Sequence, residues 1–576
     1  MKITTNLFMV VSLLFITSLA FANVDANSTA KVERVFKQMS EADKLAELQG
    51  IRPNVLMVDG KLSPAKCREL IPHGIGHICQ FSSSLSLAPT EIRDFVRELQ
   101  LWLMTETPAR VPAIFHEEAL TGFPSLGATT FPQSIGMGCT WDPELAQQKT
   151  RFTAETFRAA GATLALSPML DLCRNPYWSR LEESLGEDPY LASVMGLAFV
   201  KGLQGNDLRT GIAATCKHFA GYGGNNTNRK EFIEETLMPH EVAIKLGDAQ
   251  CVMPGYHSYN KVPCIANKEL LTDILRDQLG FEGLVISDYN AMTHVLHKKD
   301  AAEKEAVAAK CLNAGADVEL SKGVCFPFLP EAIRAGKVSQ KKLDAAVKRS
   351  LLLKARVGLF DDKIQIGKTG ALDFDPPAHR QLAYEAACKS LVLLKNNGIL
   401  PLKQNVKKIA LVGPNAASFQ ALLGDYTYQS LAAFFWDIPT NPDKPKLITL
   451  LDGLKSRAGN GITIQHERGC DWSDPLEGQL DTATPGDPRL LRFSEHMEKI
   501  KRLVHQGVPA PDLQRALRLA ADSDVIIAAM GENVYLCGEV VRARASACPA
   551  NKRSSWNGCS LRENQLCSYF SADASR

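Results

Sequence analysis

No CxxC pair, no phosphate-cradling P-loop and no GxGxxG fingerprint occur in this chain of 576 residues. The first absence removes the common zinc-ribbon spacings, and the other two remove the usual nucleotide folds. Charge of one sign is missing too: 65 Lys and Arg stand against 63 Asp and Glu, for a formal net charge of +2. That balance gives no sign of nucleic acid or an anionic membrane as partner. Past the N-terminus no apolar run is long enough to cross a bilayer. No His-His-carboxylate set is in view, so a metal-dependent hydrolase is a distant reading and no cofactor is implied.

The N-terminus does carry a signal. Lys2 is followed by a mostly apolar stretch from Leu7 to Leu19 and by Ala20-Phe21-Ala22, the pattern of a cleavable secretory leader over 1–22. The mature chain is therefore expected outside the cytoplasm, periplasmic or secreted. Fifteen cysteines, an odd count, are mostly scattered singly, and no disulfide framework can be read from them.

From about residue 45 to 360 short apolar runs alternate with amphipathic stretches. Strands are expected at 111–115, 163–169, 212–216, 250–253, 283–286 and 316–320. Helices are expected at 143–159, which opens on proline, and at 267–279. Such alternation predicts βαβ units and a parallel sheet. With six or more repeats and no nucleotide fingerprint, a closed (β/α)8 barrel over 23–365 is favoured over a doubly wound sheet.

Polar residues fall at the ends of these runs: His116-Glu117-Glu118, Asp171, Lys217-His218, Tyr256 and Ser287-Asp288. In a barrel those strand ends ring the mouth where active sites lie. A linker is expected over 366–385. A second α/β unit over 386–544 should start with a helix near 378–389 and a strand at 391–394, with further strands at 408–412, 462–465 and 524–530.

Paired carboxylates can cleave glycosidic bonds, one ionised and one protonated. Asp288 among Lys217, His218 and Arg180 suits the ionised partner, and Glu118 suits vicinal hydroxyls. Residue types alone lead no further than a barrel hydrolase or lyase with a carboxylate-rich pocket.

Six ordered motifs go further. The stretch from Val111 to Gly122, Asp171 to Arg180, Glu183 to Tyr190, Lys217-His218-Phe219, Gly280 to Asp288 and Leu391 to Leu402 resemble the family 3 glycoside hydrolases, the β-glucosidase and β-xylosidase group. The similarity runs from about residue 40 to 544. It implies a TIM-like barrel followed by an α/β sandwich domain that closes the pocket from the side. It implies Asp288 as nucleophile, Glu539 as acid/base, and Glu118, Arg180, Lys217, His218 and Tyr256 around the non-reducing sugar. Glu117, Arg174 and His116 are expected to be structural, and Trp178 either stacks on sugar or forms a wall.

The implied activity is that of a retaining exo-β-glucosidase, acting on oligosaccharides or aryl glycosides through a covalent glycosyl-enzyme. Glu118 is one methylene longer than the aspartate of many glucosidase relatives and crowds the space for a hexose C6 group, so β-xylosidase is the near alternative. After Glu539 the chain departs from the family pattern, losing apolar periodicity and gaining cysteine, serine and arginine through Arg576. That change reads as a frameshift or premature end, leaving an incomplete second domain and an aberrant tail over 545–576 without regular structure. An inactive sugar-binding fragment is the third reading. Oligomeric state is not legible.

Overall fold

The computed structural model describes residues 26–176, 178–224, 228–361, 366–438, 447–472, 502–503, 508–532, 534 and 566–570. The leader over 1–22 and Glu539 lie outside the described residues.

Seven parallel strands form the first sheet in sequence order: β1 (Gly50–Ile51), β2 (His77–Cys79), β3 (Ile114–Glu117), β4 (Leu164–Ala165), β5 (Ala213–Phe219), β6 (Cys251–Pro254) and β7 (Leu284–Val285). Two single-residue parallel bridges, Ile286 with Val318 and Gln49 with Glu319, join the last strand to the first and close a barrel. The seam is riveted by buried polar contacts: Lys354 Nζ and Ser350 Oγ donate to the Glu47 carboxylate at 2.6 and 2.7 Å. Burial pushes the Glu47 carboxyl up despite the lysine.

Helices start where the sequence supplies caps. Asp142 accepts the Leu145 N–H at 3.0 Å and Pro143 opens α1 (Pro143–Ala160), which ends on Gly161 at φ 95°. Asp188 does the same for α2 (Pro189–Gln204). Both are N-cap and Pro-N1 starts. The expected helix over 267–279 is present at Glu269–Gln278, wound as a π-helix. β1 and β2 escaped the sequence reading because two and three residues are too few for a period.

A second, four-stranded parallel sheet runs β9-β8-β10-β11, with β8 at Lys408–Val412, β9 at Thr463–Glu467, β10 at Val525–Met530 and β11 at Leu566–Phe570. Alternate residues of β8 serve opposite faces, Ile409 and Leu411 in one apolar cluster and Ala410 and Val412 in another, as the pleat requires.

Three expectations need correction here. The linker placed over 366–385 ends at Pro377, where the helix expected near 378–389 is present as α3 (Pro377–Lys389). Leu391–Leu394 form no strand; no described strand pairs with them, and they are 58–71% exposed. Within the tail expected to lack structure, Leu566–Phe570 pairs in parallel with β10.

Candidate active site

Asp288 stands just past β7 at the carboxyl end of the barrel, 5% exposed. Its Oδ1 accepts the Tyr289 N–H at 2.7 Å. Its Oδ2 lies 3.5 Å from His218 Nε2.

Lys217 and His218 are neighbours on β5, yet both serve the pocket. The pairing of β5 with β6 shifts register between Lys217 and Phe219, and such an irregularity re-aims side chains that a regular pleat would send to opposite faces. Lys217 Nζ donates to Glu118 Oε2 at 2.6 Å with both side chains buried. Burial alone would lower the lysine, but Glu118, Glu183 and Asp288 together hold it above its usual value. Burial pushes the Glu118 carboxyl up to about 7 against the pull of Lys217.

His218 is anchored twice by Asp171: the backbone N–H donates to Oδ2 at 2.9 Å, and Nδ1 meets the same oxygen at 2.8 Å. Burial drives the imidazole well below its ordinary pKa. A neutral ring whose proton is held on Nδ1 by a carboxylate presents Nε2 as an acceptor, and Nε2 has no hydrogen-bond partner among the described residues.

Arg180 forms a buried two-pronged pair with Glu183, at 2.6 and 2.8 Å, and its Nη2 reaches the Tyr426 hydroxyl at 3.2 Å. Tyr426 comes from the second domain, just before α4 (Tyr428–Trp436). Its ring lies 4.7 Å from Lys217 Nζ, and its carbonyl accepts the Thr121 hydroxyl at 3.1 Å. The Tyr256 hydroxyl donates to the Tyr289 carbonyl at 2.9 Å, so this residue frames the loop that carries Asp288.

The structure thus brings together Asp288, Glu118, Arg180, Lys217, His218 and Tyr256. Sequence reading missed Tyr426, whose segment carries no motif, and the anchoring parts of Asp171 and Glu183, which lie inside family motifs but away from their sugar-facing positions. Glu117 is structural as expected, accepting from the N–H and hydroxyl groups of Ser82 and Ser83. His116 stacks on Tyr289, and Arg174 pairs with Glu231 and Glu235. Trp178 packs in a wall with Leu120, Met169, Tyr426 and Leu431. Among the described residues no group of His, Cys, Asp and Glu is arranged to hold a metal ion.

The sequence model of the glycosyl hydrolase family 3 N-terminal domain matches residues 42–353, and that of the family 3 C-terminal domain matches 391–559. The chain belongs to glycosyl hydrolase family 3. The second match runs past residue 544, where the resemblance was expected to stop.

Among family 3 relatives, a β-xylosidase of Formosa agariphila is 33% identical over 458 residues, 74% of this chain and 58% of that protein. A periplasmic β-glucosidase of Salmonella typhimurium is 28% identical over 545 residues, 91% of this chain and 65% of that protein. The crystal structure of a β-glucosidase from Listeria innocua in complex with glucose superposes with a TM-score of 0.70 at 27% identity, covering 89% of this chain and 65% of that one. This chain therefore spans about three fifths of the length of these relatives. No helix among the described residues is long and apolar enough to cross a membrane.

Proposed function

We propose that this family 3 chain is a retaining exo-acting β-glycosidase that releases the non-reducing terminal β-D-glucosyl residue of oligosaccharides or aryl glycosides. The observation that carries the reading is the placing of Asp288 Oδ2 3.5 Å from an unprotonated His218 Nε2, beside the Lys217–Glu118 pair. A sugar hydroxyl donating to His218 and held by Lys217 or Glu118 fixes the ring, and the anomeric carbon then faces the Asp288 carboxylate.

In the first step that carboxylate attacks the anomeric carbon while the glycosidic oxygen leaves with a proton from the general acid. In the second, water attacks the glycosyl-enzyme and gives its proton to the same group, freeing Asp288. We assign the acid/base role to Glu539, on its sequence motif. We further propose export through the N-terminal leader, in line with the periplasmic location named for the Salmonella relative.

One observation favours β-xylosidase as a second reading. Glu118 is held at 2.6 Å by Lys217 in a buried position, and its extra methylene takes room that a hexose C6 group needs. The purified mature chain should release nitrophenol from aryl β-glucoside, with turnover at least about a thousandfold lower in Asp288→Ala, because the nucleophile carries the covalent step. A higher kcat/KM on aryl β-xyloside would select the second reading. Folded protein that turns over neither glycoside would overturn both, leaving a sugar-binding fragment.

A further inference from the structure

Around the pocket mouth, one cation has no task in the chemistry above. Arg52 follows β1, Gln80 follows β2 and Tyr289 follows Asp288, so all three occupy carboxyl ends of barrel strands. The guanidinium carbon of Arg52 lies 5.5 Å from the Tyr289 ring centre and 5.2 Å from that of Trp436, the last residue of α4 in the second domain. Both separations are within cation–π range. Arg52 Nε donates to Gln80 Oε1 at 3.1 Å. Gln80 is itself buried and held at φ 49°, in the left-handed region. Two aromatic rings and one hydrogen bond thus orient the planar group before any ligand arrives.

What this arrangement leaves over is donors. Among the described residues no carboxylate pairs with Arg52, and only its Nε has an acceptor. Beside it the Trp436 indole N–H is buried and likewise lacks an acceptor among the described residues. A buried donor without a partner, as on Trp436, is costly and uncommon, whereas the Arg52 side chain is only half-buried, so its remaining donors are open to a ligand. The Arg52 fork next to the nucleophile's loop matches the two oxygens of a carboxylate. A single guanidinium balances one negative charge, which fits a carboxylate better than a phosphate dianion.

We propose that Arg52, oriented by Gln80, Tyr289 and Trp436, forms an acceptor subsite for a carboxylate on the leaving group. This rests on the glycosidase reading above. The substrate class is then a β-glycoside whose aglycone is acidic, either an aromatic carboxylic acid or a uronic acid unit.

Matched pairs separate the sources. Kinetics would compare 4-carboxyphenyl with 4-carbamoylphenyl β-D-glucoside, and β-glucosyl-(1→4)-glucuronate with cellobiose. The acidic member of one pair should show a kcat/KM about tenfold higher, as expected for a hydrogen-bonded ion pair. That preference should fall to about one in Arg52→Gln and be only partly kept in Arg52→Lys, which retains charge without the fork. A structural role for Arg52 would lower both members equally and leave the ratio unmoved. Preference in the aryl pair identifies an aromatic acid, and preference in the disaccharide pair a uronate.

Turnover of the neutral glycosides tests the glycosidase reading separately. If it fails, binding still decides the subsite: 4-hydroxybenzoate against 4-hydroxybenzamide, and glucuronate against glucuronamide, read by tryptophan fluorescence. An acidic ligand bound more tightly by wild type but not by Arg52→Gln supports the subsite. Equal affinity within both pairs, or a preference that survives Arg52→Gln, overturns it.

Discussion

Histidines buried without partners make the clearest single-residue test of the electrostatics. His240 is fully buried, packed edge-on against Phe219 at 5.2 Å, with no hydrogen bond to either ring nitrogen among the described residues. Burial holds its pKa down to about 3, against an ordinary 6.5. Below pH 6.5 the unfolded chain takes up a proton that the native ring refuses, so stability is lost as pH falls through that value. His240→Leu removes this loss. By pH 5 the difference between wild type and variant should move by about 2 kcal/mol in the variant's favour relative to pH 7.5. Urea midpoints at the two pH values check it, and an unchanged difference would show that the native His240 ring takes up its proton as readily as the unfolded chain does.

At the scale of elements, α1 does more than cover the barrel. Its buried Lys149 donates to the Leu120 carbonyl at 2.5 Å and to that of Pro132 at 3.3 Å, pinning the loop that follows Glu118 and Thr121. Burial with no carboxylate nearby draws this lysine down to about 7. Lys149→Met keeps the apolar stem but leaves two carbonyls without their donor, so stability should fall by about 1–3 kcal/mol. Chemical denaturation with circular dichroism would measure it, and a neutral result would mean that water replaces the ammonium.

Neither Lys149 nor Arg52 could be singled out from sequence. One sits in a helix as an ordinary charged residue, and the other follows a two-residue strand that has no period. The pocket residues from motifs were legible because strand ends in a barrel converge by topology, so knowing the order of strands already placed Glu118, Lys217, His218 and Asp288 together. Tyr426 was not legible because its reach into the pocket depends on how one sheet domain meets another. Leu391–Leu394 failed for a related reason: local β preference is satisfied only when a neighbouring strand accepts the ladder.

For the whole molecule that segment has a measurable effect. Four consecutive apolar side chains, from Leu391 to Leu394, stand in water, and an exposed strand-prone run is a template for association with other copies. The double substitution Val392→Thr and Leu393→Lys should lower concentration-dependent light scattering several-fold. The melting temperature should move little, since surface changes usually fall within about 0.5 kcal/mol. Scattering that stays the same would place the sticky surface elsewhere.

The barrel seam bears on how such a chain is made. Its first strand has no partner on one edge until Val318 and Glu319 exist, and the Glu47–Lys354 rivet joins residues 307 positions apart. On the ribosome, where the chain emerges from its N-terminus, the growing sheet keeps an open edge for most of the synthesis of the first domain. Closure then comes within a few dozen residues of the last strand, while the second sheet has scarcely begun to appear. Slow codons placed just after this point would give the barrel time to shut before new apolar strands compete for that edge.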